Sequence, residues 1–266
     1  MNKVFSNLKQ AYSESRRLGD AIVVGRRQSA FLIVATITGL VVFLALALLV
    51  SGSSYTDSLN TAVSVWFVEH RAHWLDPTVV IYTMMGDTPF QVCLYTTAVI
   101  ALLPQRREAI HLALAGIVVS FSVTVIKDIL EVARPLMVVI PPPSPSFPSG
   151  HSAGIATLVS FLGIYFYRQS ACRLTSGQWA LFLFFIVSMA MTRLYLGVHW
   201  LTDVVGGICL GLAVACLSWL VFDSYTVSRQ RKHVLLHFAT IAVVVTLLIY
   251  GLINYSGDLT VYQRAG

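Results

Sequence analysis

The chain has 266 residues, 56% hydrophobic and only 11% charged, with a mean hydropathy of +0.75 and a formal net charge of +6. Soluble domains usually carry about a quarter charged residues, so a soluble class is excluded and a polytopic helical membrane protein is expected. Cys93, Cys172, Cys209 and Cys216 lie in or beside apolar segments without CxxC spacing, and read as small buried hydrophobes rather than a disulfide or metal set.

In chain order, residues 1–27 form a polar tail. A long apolar run, 28–51, follows and is expected to stay as a span, since a secretory signal has a shorter head and a shorter apolar core. The segment 52–78 mixes Leu59, Val63, Trp66, Phe67 and Trp74 with polar residues, which fits either a helix lying in the membrane interface or an ordinary packed loop helix. A second span is expected over 79–103. It is interrupted by Gly86-Asp87-Thr88-Pro89, so it is either kinked or an outer re-entrant turn followed by a short span from Pro89 to Leu103. The third span is 109–130, followed by a proline cluster, Pro141–Pro148. The fourth, 152–168, is short and should begin in the interface at Ser149 or Gly150. Spans five and six are 178–198 and 201–222. In the sixth, Gly207 and Gly211 have the small-xxx-small spacing that lets helices pack closely in lipid. A seventh span is expected over 234–253, before a tail, 254–266. The chain reads as one transmembrane domain over 28–253.

The basic residues orient the chain, because cytoplasmic loops are enriched in Lys and Arg. With the N-terminus inside, the inner segments hold Lys3, Lys9, Arg16, Arg17, Arg26, Arg27, Arg106, Arg107, Arg168, Arg173, Arg229, Arg231 and Lys232. The outer side keeps Arg71, Lys127, Arg134, Arg193 and Arg264. The net positive charge is therefore a topology signal with contact to anionic lipid, and no nucleic-acid partner is expected.

Three polar clusters fall on that outer face, at the ends of spans where ionisable groups are costly and therefore functional candidates. Lys127 and Arg134 are seven apart, about two helical turns, with Pro135 ending the helix. They offer a point charge and a bidentate fork for phosphate, or else snorkel and pair with Asp128 and Glu131. Ser146-Phe147-Pro148-Ser149-Gly150-His151-Ser152 opens a helix. Its free N–H groups attract anions, Gly150 permits close backbone approach, the Ser149 hydroxyl adds a donor, and His151 is placed to give a proton to a leaving oxygen. The plainer alternative is a Ser N-cap beside an interfacial histidine. Arg193, His199 and Asp203 form the third cluster. His199 and Asp203 share a helical face, so the carboxylate can hold one ring nitrogen and leave the other as a nucleophile, unless the pair merely caps a span. His70, His73, His111, His233 and His237 show no comparable setting and read as ordinary residues.

Lys-x6-Arg-Pro, Pro-Ser-Gly-His and Arg-x5-His-x3-Asp, in this order, resemble the tripartite signature of the type 2 phosphatidic acid phosphatase superfamily. Lipid phosphate phosphatases, soluble acid phosphatases and vanadium haloperoxidases belong to it. The resemblance covers 127–203 by motif, with Thr192 where the family usually has Ser, a swap that keeps a hydroxyl. It implies an all-α transmembrane bundle with a six-span core, to which this chain adds a seventh span. It further implies that His199 attacks phosphorus and forms a phosphohistidine, that Asp203 orients His199, and that His151 protonates the leaving group. Lys127, Arg134, Arg193, Ser149 and the Gly150 N–H would hold the phosphate oxygens. No cofactor and no metal are implied.

The expected function is a membrane phosphatase, in the cytoplasmic (inner) membrane with its site facing outward, acting on a lipid phosphate or diphosphate. Undecaprenyl diphosphate suits an outward site best, with lipid A phosphate or phosphatidate-type lipids as alternatives. A lipid phosphotransferase using the same intermediate, and a non-catalytic anionic-lipid transporter or scaffold, are the competing readings.

Overall fold

The computed structural model describes residues 29–52, 55–138, 142–169, 175–221, 246, 249–255 and 257–262. Among these the protein is helical, without strands. The expected tail 1–27, Cys172, and most of the expected seventh span lie outside the described residues; the last residues of that span, 249–253, belong to a helical piece that runs to 255.

Eight helices are described before the C-terminal pieces: α1 (Ser29–Gly52), α2 (Tyr55–Glu69), α3 (Asp76–Thr83), α4 (Thr88–Leu102), α5 (Arg106–Leu130), α6 (Gly150–Gln169), α7 (Ser176–Tyr195) and α8 (Leu201–Val221). Helices α1, α5, α7 and α8 are long and apolar enough to cross a membrane. Together they make this a multi-pass membrane protein. Phe31, Leu48, Phe121 and Phe184 are exposed on them, as side chains facing hydrocarbon should be. Helix α4 has 15 residues, about 22 Å at 1.5 Å per residue, short of the ~30 Å hydrocarbon core.

The interruption in the second expected span is a full break. Met84–Gly86 tightens into a 3-10 turn, Asp87 is extended, and Pro89 sits in the first turn of α4, where its missing N–H costs nothing. Helix α5 ends at Leu130, where the third span was expected to end, and so stops short of Arg134, which the two-turn spacing had put on the same helix. Glu131 turns left-handed (φ 45°) and returns its N–H to the Lys127 carbonyl. Arg134 therefore lies on extended chain beyond the helix, not two turns further along it. The cause is local: a residue before proline disfavours the helical region, and the Val132 carbonyl is taken by the Ser146 N–H at 2.7 Å.

Two devices place the third cluster. Helix α7 closes with Gly197 at φ +67°, Gly197 N–H on the Leu194 carbonyl and Val198 N–H on the Arg193 carbonyl, a Schellman turn. An alanine Cβ at Gly197 would also meet Met137 Cβ at 2.8 Å. The turn throws His199 back across the end of α7, just ahead of α8. From α2, the buried Asn60 then grips the start of α8, its Oδ1 accepting from the Thr202 N–H and its Nδ2 donating to Thr202 Oγ1. Helix α2 is thus a packed helix on this side, while its Leu59 and Trp66 remain exposed.

Helices α6 and α8 approach most closely. Side chains at Gly207 and Gly211 would come within 2.6 Å of the Ser149 carbonyl and 2.5 Å of the Ala153 carbonyl, so the small-residue spacing is used for backbone contact. Below this, Phe161, Trp219, Leu112 and Leu158 form one core cluster; nearer the site, Phe43 stacks on Phe147 beside Val119 and Leu210. Truncating a buried aromatic such as Phe161 to alanine costs about 3–5 kcal/mol.

Candidate functional site

All eight residues singled out in the sequence lie at one end of the bundle. Ser149 begins α6: the Ser152 and Ala153 N–H groups turn back to its hydroxyl and carbonyl, and its own N–H donates to the Asp203 carbonyl at 3.0 Å. That last bond ties the second cluster to the third. Gly150 is the first helical residue, with room for its backbone to face the cavity; the nearest atom to an added Cβ is Val123 Cγ1 at 3.5 Å.

His199 is 2% exposed and Asp203 fully buried. Nδ1 of His199 donates to Asp203 Oδ2 at 3.1 Å, and the same oxygen accepts from the Trp200 N–H at 2.7 Å and from the Ser146 hydroxyl. A carboxylate held by three donors cannot rotate away, so the imidazole is fixed with Nε2 as the nitrogen turned away from Asp203. Arg134 Nη1 lies 3.1 Å from that Nε2. Burial, followed by the charges of Arg134, Arg193 and Lys127, holds the His199 imidazole well below its usual pKa. It is therefore neutral, with a lone pair available, at neutral pH.

The three cations converge from different elements. Lys127, in the last turn of α5, donates to the Pro145 and Ser146 carbonyls. Arg134 donates to Ser144 and Val198 carbonyls at 2.7 and 2.8 Å. Burial and the charge of Arg193 bring the Arg134 pKa down to about 10, which leaves it a cation at neutral pH. Arg193 is 2% exposed and donates through Nη1 to Thr83 Oγ1 and to the Tyr262 hydroxyl, while its buried Nε has no partner among the described residues. Two of these cations thus pin the proline-rich rim, 142–148, through its carbonyls.

His151 stands opposite, with its Nε2 3.0 Å from Asp87 Oδ1. Asp87 Oδ2 accepts from the Tyr250 hydroxyl at 3.1 Å. Lys127, Arg134, His151, Arg193 and His199 all line one cavity of about 1030 Å³. Asp87, Gln91 and Tyr262 complete its polar end. From there it runs between α4 and α5 past Val92, Val99, Ile117 and Phe121 to Ala113. Lys127 and Ala113 are fourteen residues apart on α5, about 21 Å of helix.

Sequence reasoning assigned no part to Ser146, Asp87, Thr83, Tyr250, Tyr262 or Asn60. Ser146 was visible beside its motif. The others come from segments whose only local signal was a turn, an isolated hydroxyl or a tail.

Chemically, this arrangement could bind and cleave a phosphate ester: a fixed neutral imidazole, a second histidine, three cations and a helix start at one end of a long, largely apolar cavity. A family model described as the PAP2 superfamily matches residues 108–226, which hold every motif residue. No curated protein matches the chain. Among solved structures it is similar to a transmembrane PAP2-type phosphatidylglycerolphosphate phosphatase from Bacillus subtilis. The two are 25% identical with a TM-score of 0.63, over 73% of this chain and 98% of that one. The chain's motif-bearing core, 108–226, matches the PAP2 superfamily model, and the transmembrane fold around it is similar to that of the solved PAP2-type phosphatase.

Proposed function

We propose that this membrane protein, whose fold is that of a PAP2 lipid phosphatase, hydrolyses a lipid phosphate or diphosphate through a phosphohistidine on His199. The observation that carries this reading is the shape of the cavity: catalytic groups and cations at one end, about 21 Å of apolar wall between α4 and α5 leading from them. A lipid whose headgroup meets Arg193 and Lys127 would lay its chain along that wall.

Nε2 of His199 attacks the terminal phosphorus, and as the N–P bond forms the bond from that phosphorus to its leaving oxygen breaks. That oxygen is the ester oxygen of a lipid monophosphate or the bridging oxygen of a diphosphate, which departs as the lipid monophosphate. His151 gives its proton to the departing oxygen. It then takes one from the water that attacks the phosphohistidine, releasing phosphate and restoring both histidines. Asp203 keeps His199 in the tautomer with Nε2 unprotonated. Lys127, Arg134, Arg193, the Ser149 hydroxyl and the Gly150 N–H bind the phosphoryl oxygens, the cations exchanging their contacts with rim carbonyls for contacts with phosphate. Three fixed cations supply the charge stabilisation that a metal would otherwise provide, so the reaction is metal-independent.

The domain is taken as 28–253, in the bacterial inner membrane with its site facing outward, as the basic-residue pattern indicates. An outward site favours undecaprenyl diphosphate. The solved relative is titled a phosphatidylglycerolphosphate phosphatase, which keeps that lipid and phosphatidate among the candidates.

The test is phosphate release by detergent-purified protein from a panel of these lipids, lipid A phosphate and a short soluble phosphomonoester, with excess EDTA. Long-chain lipids should be cleaved far better than the soluble ester, because each buried CH₂ is worth up to about 0.8 kcal/mol relative to water. His199→Ala should abolish turnover. Activity that requires added magnesium, equal efficiency on the soluble ester, or a His199→Ala protein that still turns over would each overturn the corresponding part. Transfer of phosphate to an added acceptor lipid, at the expense of hydrolysis, would identify a phosphotransferase instead.

A further inference from the structure

The break between α3 and α4 contains a carboxylate in an unusual position. Asp87 is the residue that should cap α4, yet its side chain makes no cap bond. Asp is among the preferred capping residues because its oxygen can accept from the exposed first-turn N–H groups. Here both oxygens point elsewhere, Oδ1 to His151 Nε2 and Oδ2 to the Tyr250 hydroxyl. Asp87 lies before the stretch 108–226 that carries the family match, and Tyr250 lies beyond it.

The surroundings are built for this contact. A Cβ at Gly86 would come 2.2 Å from His151 Cδ2, so only glycine lets the break lie against the ring. Gln91 Nε2 donates to the Gly86 carbonyl at 2.8 Å and to the Gly150 carbonyl at 3.3 Å, fixing the break to the start of α6. The charge pattern also calls for a carboxylate here. An acid must carry a proton before it can give one, and an imidazolium facing Arg134 and Arg193 is opposed by both.

We propose that Asp87 is the positioning residue for His151. It holds Nε2, so that Nδ1 faces the leaving oxygen, and balances the charge of the imidazolium, while Tyr250 holds Asp87 in turn. The site then contains two histidine–aspartate pairs: Asp203 keeps His199 unprotonated at Nε2 for attack, and Asp87 keeps His151 able to donate from Nδ1. In the first step the proton leaves Nδ1 for the lipid oxygen as the P–O bond breaks, and the neutral ring stays bonded to Asp87 through Nε2–H. In the second step Nδ1 takes the proton of the attacking water. The inference rests on the assignment of His151 as the acid.

Leaving-group dependence separates this role from a structural one. An alkyl alkoxide needs a proton as it departs; a nitrophenolate does not. The kcat/KM of wild type, Asp87→Asn and Asp87→Glu is measured on a long-chain alkyl phosphate and on the phosphate ester of a nitrophenol bearing a chain of the same length, in the same micelles. Asp87→Asn should lose about 10²-fold on the alkyl ester, within the range for general acid catalysis, and far less on the aryl ester. Asp87→Glu should recover part of the alkyl activity. Tyr250→Phe, a milder change should Asp87→Asn fail to fold, should show the same selectivity on a smaller scale. Equal loss on both esters would overturn the proposal and leave Asp87 as a tie between the break and α6. Unchanged activity on both would also overturn it. A wild type inactive on both esters would instead reject the phosphatase reading itself.

Discussion

Gly86→Ala is the sharpest structural test of how His151 is held. The added methyl would sit 2.2 Å from His151 Cδ2, 2.6 Å from Cγ and 2.9 Å from Cβ. Carbon atoms pack at about 3.5 Å or more, so the ring has to retreat by about 1.3 Å. Rotation alone does not relieve it, because Cβ is also too close. Misplacing a catalytic group by about 1 Å can cost 10²-fold, or about 2.7 kcal/mol of barrier. Overpacking this buried contact should cost about 1–3 kcal/mol of stability, without added backbone strain, since Gly86 has no positive φ. Gly154→Ala provides the contrast. Its methyl would overlap Gln91 Oε1 at 1.8 Å, but that atom ends a flexible side chain that can swing away, losing bonds worth about 1 kcal/mol each. Steady-state kcat/KM on a long-chain lipid phosphate should therefore fall about 10²-fold for Gly86→Ala and less than about 10-fold for Gly154→Ala, with both proteins folded in detergent and Gly86→Ala melting the lower of the two. A folded Gly86→Ala protein within a few-fold of wild type would refute the claim that the ring is held by this contact.

Two further outcomes are expected. Burial, the charge of Asp87 and a weaker opposing effect of Arg193 raise the Asp258 pKa to about 6 from its ordinary 3.8. The folded protein then binds more protons than the unfolded chain between those values, so this group favours folding at low pH and loses that effect as pH rises through about 6. Asp258→Asn should accordingly raise the melting temperature at pH 7.5, by an amount that shrinks toward pH 5; a gain that grew with acidity would reverse the assigned sign. For orientation, single cysteines at Ser144 and Gln105, in a background lacking the four native ones, should differ in labelling of intact cells by an impermeant thiol reagent. Reaction at Gln105 with protection at Ser144 would invert the assigned face.

The helices and the three clusters were legible because both follow from one dominant force. Apolar runs of about 20 residues have few fates other than spanning, and charges such as Lys127 and Arg193 beside them demand a reason. The place of Arg134 was misread for a local cause. Counting residues from Lys127 to Arg134 assumes the helix continues, and the competing bond from Ser146 N–H to the Val132 carbonyl cannot be seen from 130–135 alone. Asp87 was legible only as part of a turn, because Gly-Asp-Thr-Pro is ordinary punctuation. What gives it meaning is His151, 64 residues later, and Tyr250, further still. Asn60 on Thr202 and Thr83 on Arg193 belong to the same class. Each is a common polar residue whose use is set by packing between distant helices.

In the proposed mechanism, the formal charges at the polar end of the cavity give both carboxylates a part. Lys127, Arg134 and Arg193 against Asp87 and Asp203 leave a surplus of one positive charge, and protonated His151 makes it two. A phosphate monoester arrives as a dianion, so the site is neutral with substrate in place. In the proposed first step, donation by His151 would lower the surplus to one while the phosphoryl group passed to His199 and an alkyl leaving group departed as a neutral alcohol. Without Asp87, His151 would face three cations offset only by Asp203, and protonating it would cost more still. Without Asp203, the same cations would face His199 with nothing to fix its tautomer. Each histidine thus has its own carboxylate, and the fold supplies the two from different places: α8 for His199, and the break before α4 for His151.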